Sequence, residues 1–286
     1  MENHVLIKLQ VADSKLTNGE LFRRRIKVNE EGIENINFKI AETKAELESA
    51  FHLTHQIYVQ NGYMNPCPSG LRFNFFNAMP YSQTFIANAN DQTIMTMSLF
   101  PDSPLGLPAD CMFQGKINEY RLQGRYLAEI GANVSTINNQ KALMHLIKIM
   151  HSYARDYLKI DDFVITVPPK HKNFYIHVLG FELFGEQTEY AYVNDNPAVA
   201  LKLDLHENKN IYWNNYPREP LENDLHHFLF VKDSHLIALP EKKVPLKVWD
   251  NQIFDYFFKE KTNFYVEADD KTKSLIEKYY HAYAMA

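Results

Sequence analysis

Glu129 stands apart in the run YLAEIGANVS, from Tyr126 to Ser135, as the one charged residue of a stretch that otherwise suits a strand. Burial there disfavours the ionised carboxyl, so its pKa should rise towards working pH, which suits a proton acceptor. Gly131, two positions on, allows a close approach to the backbone. A second polar group follows the short apolar run Phe163 to Val167: Pro168-Pro169 end it, and Lys170, His171 and Lys172 come next. Open α/β sheets bind ligands where strand C-termini meet helix N-termini, and these residues fall there. The alternative is an ordinary structural unit of strand, helix and strand. Metal chemistry has no support: among the twelve histidines, His145/His151 and His171/His177 are six apart and share no helical face, and His226-His227 is mere adjacency. Cys67 and Cys111 show no CxxC spacing and read as free thiols.

Periodicity identifies the elements that hold these residues. Leu143, Leu146, Ile147, Met150, Tyr153, Ala154 and Tyr157 recur at helical spacing and predict a helix from Asn139 to Lys159. With a strand on each side, it forms a right-handed crossover between parallel strands. Upstream, Asn37 to Ala41 suits a strand, and Thr43 with Glu46 predicts a capping box. The helix so begun carries Leu47, Ala50, Phe51, Thr54, Ile57 and Tyr58 on one face and ends near Asn61-Gly62. A Pro-rich loop from Met64 to Tyr81 follows, holding Phe73, Phe75 and Phe76. Ser82 to Ala89 and Thr93 to Phe100 read as a hairpin turning at Asn90-Asp91. Residues 109–125 suggest a helical turn, and Glu182 to Tyr192 and Ala198 to Leu205 two further strands. The expected division is a lead-in over 1–34 with the cluster Arg23-Arg24-Arg25, a core over 35–205, and a C-terminal extension over 206–286 with helices at Val248–Lys259 and Lys271–Ala284.

Composition bounds the partners. A net charge of −5 over 286 residues argues against nucleic acid. No run reaches the roughly 18 apolar residues of a membrane span, and the first residues lack the basic start of a signal peptide. A cytoplasmic location is the expectation. The 17 Tyr and 19 Phe suit either a large apolar pocket or an aromatic core.

The order of these elements, with HQIYVQNGY (55–63), SQTFIANANDQTIMTMSLF (82–100), LAEIGANVS (127–135) and FYIHVLGFE (174–182), resembles the GNAT acyltransferase superfamily. It is most similar to the long-chain N-acyl amino acid synthases, such as N-acyl tyrosine synthases, with acyl-homoserine lactone synthases as cousins. The resemblance implies an α/β (α+β) fold, a mixed central sheet flanked by helices, with the mostly helical extension outside it. It also implies an N-acyltransferase, moving a medium or long acyl chain from an acyl thioester to the amine of an amino acid or similar small molecule, with no tightly bound cofactor and no metal. The GNAT phosphate loop, Gln/Arg-x-x-Gly-x-Gly/Ala, is replaced by STINNQ at 135–140. That favours an acyl carrier protein over acyl-CoA as donor. Asn74 and Asn77 stand where the cousins carry aspartates.

By the same resemblance, the thioester would lie where the fourth and fifth strands splay, its carbonyl facing the backbone N–H groups of Ile130, Gly131, Ala132 and Asn133. Glu129 would serve as general base and Tyr175 as acid or hydrogen-bond partner to the sulfur. Ser135, Thr136, Asn138 and Asn139, at the helix start, and Lys170 and Lys172 would meet the pantetheine phosphate and its acidic carrier. The acyl chain would lie against Phe73, Phe75 and Phe76, covered by the loop and by the extension with Phe254, Tyr256, Phe257 and Phe258. Two other readings keep the fold: a CoA-dependent N-acetyltransferase, and a non-catalytic domain that binds acyl thioesters.

Overall fold

The computed structural model describes residues 18–216, 220–239 and 249–280. Among them, nine strands form a mixed sheet: β1 (Ile36–Ile40), β2 (Gln83–Ala89), β3 (Gln92–Pro101), β4 (Leu127–Ser135), β5 (Asp162–Val167), β6 (Glu182–Leu183), β7 (Thr188–Tyr190), β8 (Asn196–Asp204) and β9 (Ile237–Ala238). The order is β6-β8-β5-β4-β3-β2-β1-β9, with β7 also on β8. Strand alternation buries both faces of the sheet: Phe85 and Ala87 of β2 enter one hydrophobic cluster, and Ile86 between them enters another.

The helices are α1 (Asn18–Arg24), α2 (Lys44–Gln60), α3 (Asp110–Leu122), α4 (Gln140–Ser152), α5 (Lys172–His177), α6 (Asn208–Asn215), α7 (Leu225–Phe230), α8 (Asn251–Asp255), α9 (Phe264–Glu267) and α10 (Asp270–Tyr280). Thr43 starts α2 as a capping box: its hydroxyl accepts from Glu46 N at 3.2 Å, and Glu46 Oε2 accepts from Thr43 N at 3.1 Å. The β2–β3 hairpin turns on Asn90 and Asp91, both at positive φ, as a two-residue hairpin loop of type I′ requires.

Three expectations are corrected. The helix after β4 is α-helical only to Ser152, and Tyr153–Leu158 is wound as a π-helix, which keeps the adjacent Tyr153 and Ala154 both buried. The strand expected over 182–192 is two short pieces, β6 and β7. It breaks where Gly185 crosses Phe113 so closely that a Cβ would lie 2.3 Å from the ring. The helix expected over Val248–Lys259 is α8 followed by a π-turn, Tyr256–Glu260. Residues 281–284, placed in the last expected helix, lie outside the described residues, as does Val248. The Arg23 guanidinium donates to His177 O at 3.3 Å and ties α1 to α5.

Residues on both sides of 35–205 share its core. Ile26, Val28 and Ile33 from the lead-in, and Leu225, Phe228, Leu229 and Leu236 from beyond 206, join the cluster beneath α4. There β9 also extends the sheet, parallel to β1. Among the described residues, no helix is long and apolar enough to cross a membrane.

Candidate active site

The sheet opens between β4 and β5. These parallel strands pair from Leu127/Asp162 to Ile130/Ile165 and then part. Each keeps its other neighbour, β4 holding β3 as far as Ser135 and β5 holding β8 as far as Val167. A β-bulge widens the gap: Gly131 pairs with Ser98 and Val134 with Thr96, so Ala132 and Asn133 together oppose Met97. Ala132 carries the bulge at φ +50°. Gly131 lies tight against Phe100, whose ring would come within 2.8 Å of a Cβ there. A cavity of about 630 Å³ fills the opening and reaches the loop after α2.

Glu129 forms its floor and is 1% exposed. Its Oε2 accepts from Ala109 N at 2.6 Å, and its Oε1 accepts from the Thr166 hydroxyl at 3.3 Å. Burial nevertheless dominates and pushes its pKa up to about 8, against these two hydrogen bonds. Tyr175 hangs from α5 into the same cavity, nearly buried, and its phenol accepts from Asn133 Nδ2 at 3.3 Å. Burial raises its pKa as well. Since Tyr175 accepts that bond, its own O–H remains able to donate.

The remaining expected residues divide. Ile130, Gly131, Ala132, Asn133, Ser135, Asn138, Lys170 and Phe73 line the cavity. Thr136, Asn139 and Lys172 stand back from it. Thr136 donates its hydroxyl to Ile94 O at 3.2 Å, and Asn139 caps α4 by accepting from Ala142 N at 3.2 Å. Phe75 and Phe76 also lie off the wall: Phe75 stacks on Phe258 at 4.8 Å, and Phe76 packs against Phe100 at 6.2 Å. The described part of the extension supplies no lining either. It grips the loop from behind, with Phe257, Phe258 and Phe264 all within 5.4 Å of the Phe73 ring and the Tyr280 hydroxyl donating to Ala78 O at 2.7 Å. In its described residues, the extension expected to cover the acyl chain is a brace on the loop.

The structure adds residues that the sequence reading passed over. Tyr190 is buried beside Glu129 and hydrogen-bonded to Thr166, and burial first, then the Glu129 carboxyl, raises its pKa strongly. Tyr58 and Arg72 line the loop side, the guanidinium 5.7 Å from the Tyr58 ring centre. Arg72 had a signal, being the only charged residue between 64 and 81. Asn74 and Asn77 bond each other's turn: Asn77 Oδ1 accepts from Asn74 N and Asn74 Oδ1 from Phe76 N, each at 3.0 Å. Among the described residues, no cluster of three or more His, Cys, Asp or Glu could hold a metal.

A buried carboxyl and phenol beside a bulged, splayed strand pair suit transfer between bound partners. A model of the N-acyl amino acid synthase FeeM family matches residues 49–204, more than half of the chain. The chain belongs to that family. As a member of it, the protein is an N-acyltransferase that moves an acyl group to an amine. Its fold is similar to the structure of FeeM, an N-acyl amino acid synthase from uncultured soil microbes, at 24% identity over 61% of this chain and 93% of that one, with a TM-score of 0.55. It is also similar to an acyl-CoA N-acyltransferase from Pseudomonas aeruginosa (15% identity, 58% of this chain, 98% of that one, TM-score 0.40). BjaI, a CoA-dependent acyl-homoserine lactone synthase, aligns at 11% identity over 73% of this chain and 96% of that one, with a TM-score of 0.48. None of the curated proteins compared with the sequence matches it.

Proposed function

We propose that this N-acyltransferase takes a medium or long acyl chain from the phosphopantetheine thioester of an acyl carrier protein and places it on the amino group of an amino acid. The observation that supports this most is Glu129: a carboxyl with a pKa of about 8, without a cation beside it among the described residues, on the floor of the opening between β4 and β5. The thioester carbonyl meets the N–H groups of Ala132 and Asn133, which the bulge leaves outside both strand registers. The amine nitrogen attacks the carbonyl carbon, and the C–N bond forms as the C–S bond breaks. The ammonium proton passes to ionised Glu129, and the departing thiolate takes a proton from Tyr175. Thr166 holds the Glu129 carboxyl in place, and Tyr190 is hydrogen-bonded to Thr166 in turn.

The choice of carrier protein rests on the turn before α4. Ser135 donates to Ile137 O at 2.6 Å and accepts from Ile137 N at 3.0 Å, and Thr136 and Asn139 are likewise occupied by backbone. Asn138, the first free N–H groups of α4 and Lys170 remain. That set suits one phosphate better than the pyrophosphate of CoA. The test is acyl transfer by the purified protein to a mixture of the common amino acids, read by mass spectrometry. N-acyl amino acids should form, with higher kcat/KM from acyl-carrier thioesters than from the matching acyl-CoA. Equal efficiency would remove the carrier preference, and no N-acylated product would remove the proposal.

A further inference from the structure

Among the described residues, the cavity lining holds one carboxyl, Glu129, and two cations on separate elements, Lys170 and Arg72. Lys170 follows β5 and Arg72 lies in the loop after α2. The donor's phosphate accounts for Lys170, which leaves Arg72 for an anion of the other substrate. We propose that Arg72 binds the carboxylate of the acceptor, so that the enzyme takes amino acids with a free carboxylate and rejects amines without one. This inference rests on the proposed function and assigns the residue that selects the acceptor at that same site.

Arg72 is built for this. Its guanidinium is held by two backbone carbonyls, Nη1 donating to Phe73 O at 3.3 Å and Nη2 to Tyr192 O at 3.1 Å. The backbone beneath it is fixed too, Arg72 N donating to Phe51 O at 3.0 Å. Those bonds use two of five N–H groups and neutralise no charge. Among the described residues, no carboxylate pairs with it, and its loop, residues 64–81, contains no Asp or Glu. The Asn74–Asn77 amide exchange and the aromatic brace behind Phe73 hold the loop without introducing a competing anion. Tyr58 and Tyr192 each lie within electrostatic reach of both Arg72 and Glu129. The two groups thus address one space, Arg72 for a carboxylate and Glu129 for the neighbouring amine.

The experiment compares the best acceptor among the common amino acids with the amine made by removing its carboxylate, using one acyl donor. Wild type should prefer the amino acid by about 10²-fold or more in kcat/KM, the scale of charge-assisted hydrogen bonds. Arg72→Gln should bring that ratio within a few-fold of one, chiefly by raising KM for the amino acid, and Arg72→Lys should keep part of the preference. The ratio is the deciding readout, because a fold or loop defect lowers both rates together and leaves the ratio unchanged. A wild-type enzyme that acylates both equally well, or an Arg72→Gln variant with the ratio intact, overturns the inference while leaving the acyl-transfer reading standing. A wild-type enzyme that acylates neither overturns both.

Discussion

Glu129 and Asp162 are both buried acids on the same parallel strand pair, two positions apart in register, in opposite surroundings. Asp162 is clamped between Arg125 and Lys202, with Lys202 Nζ at 3.2 Å, and Arg125 reaches on to Asp204 at 2.8 Å. Glu129 has a backbone N–H and a hydroxyl but, among the described residues, no cation, and its pKa is pushed up to about 8. Asp162 lies where β4 and β5 are still paired and the sheet must stay closed. Glu129 lies one pair before they part. The same residue chemistry serves cohesion at one end and, in the proposed function, proton transfer at the other, and the difference is whether the fold supplies a counter-charge.

The largest effect expected from breaking this contrast falls on Asp162. Asp162→Asn leaves Lys202 and Arg125 partly uncompensated in a buried setting, which should cost about 3–5 kcal/mol of stability. Denaturant unfolding at neutral pH measures it, and a loss under about 1 kcal/mol would show that Asp204 and Glu182 suffice as partners.

Glu129 should show a smaller effect on stability, of opposite sense. Its folded pKa lies above the ordinary value of 4.5, so folding favours its protonated form. That contribution is full below about 4.5 and is lost as pH rises through about 8. Glu129→Gln mimics the protonated carboxyl, so wild type should lose more Tm than the variant between about pH 6 and about pH 9.5. Parallel Tm curves would show that Glu129 does not titrate in that range.

Much of this frame was legible in the sequence because its signals are local. The Thr43–Glu46 box, the Asn90-Asp91 turn and the helical period of residues 143–150 each involve residues within a turn or two of each other. Glu129 was legible for the same reason, as a lone charge in an apolar strand. The bulge was not, because positive φ falls on Ala132 and not on Gly131 beside it, and no local preference marks an alanine for it. The break at Gly185 depends on Phe113, far away in sequence. The facing of the aromatic loop is not legible, because composition marks Phe73, Phe75 and Phe76 as apolar without saying which side each faces. Phe73 touches both the cavity and the brace, Phe75 stacks on Phe258 of the brace, and Phe76 packs against Phe100.

The central claim, that Glu129 takes the proton from the amine, is tested most directly by kcat against pH at saturating donor and acceptor, for wild type and Glu129→Gln. Wild-type activity should rise with an inflection near 8, where Glu129 ionises. In Glu129→Gln that inflection should vanish, with turnover down about 10²-fold and thioester binding retained. A variant that keeps both the inflection and a rate within a few-fold of wild type would contradict the claim.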